Sequence, residues 1–253
     1  MTDRTPDGGG SAHRSRTSLS GKKIGFFVHN IHDDYGFPLW LGARDAALEE
    51  GVRPICFCGG DLGGNLPANI VFEQAGKDNV DGLVFVGGIM CNRIGVDAYA
   101  RYIERYRPLP MASIVVPLPG IPSVMGENEQ GTREAITHLV KAHGRKRIVF
   151  VAGPKDNNEA NLRLLSYQRT LRELGLPVDE ALISEPGYFD DASGRRAIEL
   201  FLDTRKVKFD GLFAANDNMA IAAMESLLER GIDVPGEVSV IGFDDQTVSR
   251  YTT

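Results

Sequence analysis

Residues 209–245, FDGLFAANDNMAIAAMESLLERGIDVPGEVSVIGFDD, decide the fold class of this chain. The short apolar run at 211–215 predicts a buried strand. It ends at Asn216-Asp217, residue types that favour the first position of a helix. The helix is predicted to continue to about residue 230, where Gly231 can end it.

A second apolar run at 238–243 follows this helix and ends at Asp244-Asp245. Polar side chains therefore stand at the carboxyl ends of two successive strands. In open α/β sheets, small molecules bind at that edge. Because no nucleophile or acid–base pair accompanies these side chains, the pattern indicates binding and not catalysis.

The bulk composition fits a globular protein with one large or two ordinary domains. The chain has 253 residues, of which 42% are hydrophobic and 25% are charged. No apolar run reaches the roughly 18–20 residues that span a bilayer, and the N-terminus lacks the apolar core of a secretory signal. A cytoplasmic location is therefore expected.

The charge distribution argues against direct DNA contact by the body of the chain. The net charge is −6, although residues 1–23 hold five basic and only two acidic side chains. The remainder is thus strongly acidic and lacks the basic patch that binding to a phosphate backbone needs. Contact with nucleic acid is expected only through a segment absent from this chain.

Apolar runs alternate with helical patterns, which predicts an α/β fold of two doubly wound, parallel-sheet lobes. Residues 1–21 are too poor in apolar side chains to fold and are predicted to be a disordered linker. The first lobe is assigned to 22–124 and the second to 125–253. Strands are predicted at 24–28, 53–58, 83–86, 111–115, 148–152, 181–184, 212–215 and 238–241. Helices are predicted near 37–50, 68–78, 96–107, 127–142, 158–174, 191–204 and 217–230.

Five motifs, in this order, resemble the effector-binding domains of the LacI/GalR family of transcriptional regulators. Those domains have the type I periplasmic-binding-protein fold, and the resemblance covers roughly residues 22–253. The motifs are TREAITHLVKAHGRKRIVFVAG (132–153), RLLSY (163–167), GYFDDASG (187–194), ANDNM (215–219) and VPGEVSVIGFDD (234–245).

The resemblance implies a sensor that binds a small polar metabolite, such as a sugar, between its lobes and signals by lobe closure. It also implies a cytoplasmic homodimer formed through first-lobe surfaces. Family members continue beyond Thr253, so the fold is expected to be incomplete at its C-terminus. No helix-turn-helix precedes Lys22. The alternative is therefore the sensor module of a diguanylate cyclase or histidine kinase with no DNA-binding role, a subset suggested by residues 55–60 and 143–147.

Seven residues are predicted to contact the ligand. The matching family arginine donates to ligand hydroxyl or anionic groups, which assigns Arg163, and an aromatic is expected at Phe189. Asn216 can donate and accept, unless capping its helix consumes its side chain, and Asp244 can accept from paired hydroxyls. The remaining candidates are Gln130 from the start of the second lobe and Asp34 and Tyr35 from the loop after the first strand.

An enzyme on a Rossmann-like scaffold is a further hypothesis. The first strand is followed by His29-Asn30-Ile31-His32 and not by a glycine-rich phosphate turn, which argues against a dinucleotide site. The cluster at 29–34 lacks further ligands at helical spacing, so no metal site is predicted. No catalytic residue and no cofactor is predicted.

Overall fold

The structure, a computed structural model, describes residues 19–64 and 67–252. Most of the linker predicted at 1–21 therefore lies outside the described residues. The described chain forms two α/β lobes, each built on a parallel sheet, and this confirms the predicted fold class. The division predicted at residue 124 falls in the connection between the last strand of the first sheet and the helix that follows it.

The first lobe has a five-stranded parallel sheet in the order β2-β1-β3-β4-β5. Phe27, Phe57, Phe72 and Phe85 form the aromatic core on one face, and Phe26 packs with Val28 and Val86 on the other. The strands are β1 Lys23–Val28, β2 Arg53–Cys58, β3 Gly82–Val86, β4 Met111–Ile114 and β5 Ser123–Val124. The helices are α1 Gly36–Glu49, α2 Ile70–Glu73, α3 Gly87–Met90 and α4 Gly95–Ile103.

The helix predicted at 68–78 is shorter than expected. A 3-10 turn at Pro67–Asn69 leads into α2, which ends at Glu73. The Asn79 side chain accepts from the Gly76 amide at 2.8 Å and donates to the Gln74 carbonyl. These bonds satisfy backbone groups outside a helix, so the local side chain competes with helix continuation.

The second lobe has a three-stranded parallel sheet in the order β6-β7-β8. Its core includes Phe150, Tyr167, Phe201 and Phe213, all fully buried. The strands are β6 Ile148–Val151, β7 Gly211–Ala214 and β8 Ser239–Ile241. The helices are α5 Asn128–Lys141, α6 Asn158–Glu173, α7 Asp191–Ile198, which continues as a π-helical turn over Glu199–Thr204, and α8 Asp217–Glu229.

The strand predicted at 181–184 is wrong. The chain forms a 3-10 turn at Glu180–Leu182, because the Asp179 carboxylate accepts from the Ala181 amide at 2.9 Å and caps that turn. Only Ile183 makes a parallel bridge, to Phe150. The segment therefore follows the edge of β6 without extending the sheet.

Parallel strands bring all their carboxyl ends to one side of each lobe. The ends of β1 and β3 in the first lobe and of β6, β7 and β8 in the second lead into the loops that form the site below. Among the described residues, no helix is both long and apolar enough to cross a lipid bilayer.

Close packing of α7 against α8 depends on Gly194. A Cβ added there would lie 2.4 Å from the backbone oxygen of Met219, whereas a Cβ at Gly42 in α1 would meet nothing within 4 Å. We expect Gly194→Ala to lower the free energy of unfolding by about 1–3 kcal/mol, because the two helices must separate. The control, Gly42→Ala, should raise it by about 0.5–1 kcal/mol through helix propensity. Urea denaturation measures both, and a stabilised Gly194→Ala would contradict the packing described here.

Candidate functional site

A cavity of about 350 Å³ lies between the lobes, at the carboxyl ends of the strands. Side chains from both lobes line it, and most of them are polar. Six of the seven predicted ligand residues are among the lining residues: Asp34, Tyr35, Arg163, Phe189, Asn216 and Asp244. The structure brings these six together, and their contact with a ligand stays a prediction.

Gln130 does not belong to this cavity. It lies in the first turn of α5, is exposed, and donates to the Glu134 carboxylate at 2.8 Å on the outer surface. It lines a separate surface groove between α5 and α6. The prediction failed because Asn128, two residues earlier, is the residue that this end of α5 turns inward.

Arg163 is the most heavily engaged side chain of the cavity, and only 4% of its surface is exposed. It enters from α6, where its Nε donates to Asn128 Oδ1 at 2.8 Å and its Nη1 donates to the backbone oxygen of Ala215. Its guanidinium carbon lies 3.8 Å from the centre of the Phe243 ring, a cation–π contact. These contacts fix the plane of the guanidinium.

Two carboxylates face the remaining nitrogen of this guanidinium. Arg163 Nη2 lies 3.4 Å from Asp244 Oδ1 and 3.8 Å from Glu159 Oε2. Glu159 is held in addition by Asn128, whose Nδ2 donates to Glu159 Oε1 at 3.1 Å. Arg163 and Asn128 thus hold both acidic side chains at the cavity wall.

Asn216 takes the helix cap that the sequence left open between it and Asp217. Asn216 Oδ1 accepts from the Met219 amide at 3.1 Å, and its Nδ2 donates to the Phe189 carbonyl at 3.0 Å. Asp217 instead accepts from the Gln246 amide at 2.7 Å. An amide nitrogen has two N–H groups, so Asn216 keeps one donor for a ligand.

Two cavity residues have left-handed backbone conformations that residues other than glycine rarely adopt. Phe189 has φ 62° and Asp244 has φ 104°. Such conformations cost on the order of 1–3 kcal/mol each and persist where the surroundings enforce them. At Phe189 the ring packs over Gly153, where an added Cβ would lie 2.6 Å away. The fold therefore fixes where these two side chains point.

The first-lobe loop is held by Asp33. Its Oδ1 accepts from the amides of Tyr35 and Gly36, and its Oδ2 lies 2.6 Å from His29 Nε2. Burial opposes ionisation of Asp33, but the contact with His29 and these backbone hydrogen bonds hold its pKa below the usual value. The loop is thereby shaped to place Tyr35 in the cavity.

The Tyr35 hydroxyl stays protonated and can act as a donor. Burial, followed by the nearby charges of Glu159 and Asp244, raises the pKa of Tyr35 well above its usual range. The hydroxyl lies close to Gly88, where an added Cβ would be 3.4 Å from it. A side chain at Gly88 would narrow the cavity at this point.

Sequence reasoning missed several lining residues, including His32, Asn157, Glu159, Asn218 and Gln246. Glu159 stands four residues before Arg163, and that spacing alone places both on one face of a helix. Asn157 caps α6 through a bond from the Ala160 amide at 3.0 Å, so its residue type was readable as a cap. Gln246 gave no signal, because its position depends on the left-handed turns at Asp244 and Asp245.

Burial raises the pKa of Asp244 to about 7; Arg163 lowers it, and the carboxylates of Asp217 and Glu159 raise it further. The folded protein therefore keeps a proton on Asp244 at pH values where the unfolded chain, near 3.8, has lost it. Stability from this group is complete below pH 4 and falls as the pH rises through 7.

We expect Asp244→Asn to gain stability relative to the parent protein between pH 4.5 and pH 8. The relative gain should be on the order of 2 kcal/mol, because the amide avoids the cost of ionising a buried carboxyl. Thermal melts across this pH range measure the difference. Asp34→Asn removes an exposed carboxylate and serves as control. Parallel curves for Asp244→Asn and the parent would contradict the expected raised pKa.

The comparison with known proteins agrees with this geometry. The family model described as a periplasmic binding protein-like domain matches residues 136–253. The HTH-type transcriptional regulator AscG of Escherichia coli (strain K12) is 41% identical over 130 residues, 51% of this chain and 38% of that protein. Catabolite control protein A of Priestia megaterium is 28% identical over 240 residues, 91% of this chain and 68% of that protein.

Solved structures of transcriptional regulators are similar to this chain over most of its length. A sugar-binding transcriptional regulator of the LacI family from Escherichia coli, complexed with phosphate, has a TM-score of 0.71 and 30% identity. That match covers 92% of this chain and 82% of the other. The regulator CelR in complex with cellobiose has a TM-score of 0.75 and 27% identity, over 92% and 71% of the two chains. The chain therefore belongs to the LacI/GalR family, as an effector-binding domain with the periplasmic-binding-protein-like fold.

Proposed function

We propose that this chain is the ligand-sensing part of a transcriptional regulator and binds a small polar metabolite, a sugar or similar polyol, between its lobes. The observation that supports this most is the shared cavity, to which both lobes contribute side chains held by the fold. Asp34 and Tyr35 come from the first lobe, and Asn216, Asn218 and Asp244 come from the second.

The lining suits a polyol because it offers donors, acceptors and an apolar surface together. Asp34, Glu159 and Asp244 can accept from ligand hydroxyls, and Tyr35 and Asn216 can donate to them. Phe189 can cover a flat or apolar ligand face. Arg163 acts in this proposal mainly by holding Glu159 and Asp244 in place.

Signalling follows from differential affinity for two arrangements of the lobes. A ligand that contacts both lobes at once stabilises the arrangement in which they approach, and it shifts the population by no more than that difference in affinity. In this proposal a DNA-binding segment outside the described residues detects the shift.

The relatives named above are transcriptional regulators and not enzymes. They favour a DNA-binding output over the cyclase or kinase output that the sequence also allowed. Formation of a homodimer through first-lobe surfaces, which the resemblance implies, stays a prediction.

Removal of polar groups from either side of the cavity should weaken binding. A thermal-shift screen of sugars, nucleosides and polyols identifies a ligand, and calorimetry then measures its affinity. We expect Asp34→Asn and Asn218→Ala each to lower affinity about tenfold, the usual scale for a hydrogen bond to a charged or buried partner. Gln130→Ala, outside the cavity, is the matched control. An equal loss in Gln130→Ala, or a flat screen on folded protein, would overturn the proposed site.

Asn157 connects the lobes directly. It stands in the second lobe, and its Nδ2 donates to the Gly88 carbonyl at 3.3 Å and to Asn92 Oδ1 at 3.0 Å, both in the first. Its Oδ1 accepts from the Ala160 amide and caps α6. One side chain therefore has a structural role and a cross-lobe role that a substitution can separate.

Asn157→Asp keeps the helix cap, because aspartate is an equally good cap, but it puts an acceptor opposite two acceptors. We expect the free protein to open, with a larger radius of gyration in small-angle scattering, and ligand affinity to fall about tenfold. Asn161→Asp, on the outer surface of α6, is the control. An unchanged radius of gyration and affinity in Asn157→Asp would contradict the cross-lobe role.

A further inference from the structure

The cavity contains more carboxylates than cations. Glu159 and Asp244 both face the single guanidinium of Arg163, at 3.8 and 3.4 Å. Asp33 and Asp34 line the opposite wall; Asp33 is paired with His29 at 2.6 Å, whereas Asp34 is exposed. No lysine lines this cavity among the described residues, and Arg163 is its one arginine.

An anionic ligand would have to compete for Arg163 with the partners that this side chain already has. Its Nε is bonded to Asn128, its Nη1 to the Ala215 carbonyl, and its Nη2 faces the two carboxylates. The Phe243 ring covers one face of the guanidinium. A phosphate or carboxylate would need two adjacent N–H groups of the fork, so it would have to displace Asn128 from Nε or the carboxylates of Glu159 and Asp244 from Nη2.

The two acidic side chains are consequently short of positive charge. Burial and the neighbouring carboxylates of Asp217 and Glu159 outweigh Arg163 in setting the ionisation of Asp244, whose pKa lies well above the usual value. A cation placed beside Asp244 would favour its ionised form. The ligand itself can bring that cation.

We propose that Glu159 and Asp244 make this site selective for charge: the cavity prefers a polyol that carries a protonated amine over the same polyol without it, and it rejects the phosphorylated form. The inference rests on the proposed function, since it concerns the ligand of the same cavity. Arg163 is here a positioning residue that holds the two carboxylates, which in turn would contact the ligand amine.

The test compares matched triplets of neutral sugar, amino sugar and sugar 6-phosphate for glucose, galactose and mannose. Calorimetry at pH 7.5 and low ionic strength gives each dissociation constant. We expect the amino sugar to bind about tenfold more tightly than its neutral parent, and no binding of the phosphate, because like charges repel in a site of reduced polarity. Glu159→Gln should remove most of the amine preference while it retains an oxygen for Asn128. Glu134→Gln, on the outer surface of α5, should leave the preference unchanged.

The outcomes separate the two proposals. Tightest binding by a neutral sugar would overturn charge selection and leave the sensing function standing. Tightest binding by a sugar phosphate would overturn it more strongly. Equal loss of amine preference in Glu159→Gln and Glu134→Gln would show that the cavity carboxylates are not responsible.

If no member of the triplets binds, that result counts against a sugar ligand. Binding of inorganic phosphate then tests the charge selectivity of the cavity. We expect the parent protein to bind no inorganic phosphate at about 10 mM beyond the weak binding of a nonspecific site. The double variant Glu159→Gln/Asp244→Asn should bind it, because Arg163 loses its two charged partners. Phosphate binding by the parent protein, or none by a folded double variant, would overturn the proposal.

Discussion

The arrangement of the second lobe around its cavity depends on the burial of one positive charge. Arg163 is almost completely removed from solvent, and an ion in that position is tolerated only with close partners. Asn128, the Ala215 carbonyl and the Phe243 ring supply them, together with the carboxylates of Glu159 and Asp244. The partners come from α5, α6, the residue after β7 and the loop after β8, so this charge connects four segments that are distant in sequence.

The same constraint explains why the side chains that line the cavity are fixed in position. Asp244 and Phe189 both have left-handed backbone conformations, and neither conformation would persist in a free loop. Arg163, on α6, contacts Asp244 and holds its loop in place. Asn216, at the start of α8, donates to the Phe189 carbonyl and holds the other loop. Preformed polar groups of this kind lower the ordering cost that a ligand must overcome.

The fold was largely predictable from the chain because most strands are short apolar runs bounded by turn residues. β1, β2 and β3 lie within one residue of the predicted spans, and the cavity contains six of the seven residues proposed for it. Residues that follow a parallel strand reach the same edge whatever the details of packing, which explains why Asn216 and Asp244 both line the cavity.

The failures have equally local causes. The segment at 181–184 is as apolar as a strand, but the Asp179 side chain caps a turn there. Gln130 follows the inward-facing Asn128 by two residues, which is about 200° around the helix, so it lies on the opposite, exposed face of α5. Glu159 was overlooked because a glutamate in the first turn of a helix is ordinary there, and its burial emerges only from the tertiary structure.

Asn157 has one more consequence. Its side-chain oxygen accepts from the first turn of α6, and its side-chain nitrogen donates to the opposite lobe. The two atoms of one amide therefore make independent contacts. Separation of the lobes would break only the bonds of the nitrogen, while the oxygen keeps the helix start from fraying. In the proposed mechanism, the bonds that Asn157 makes to the first lobe could therefore break and re-form without unfolding the start of α6.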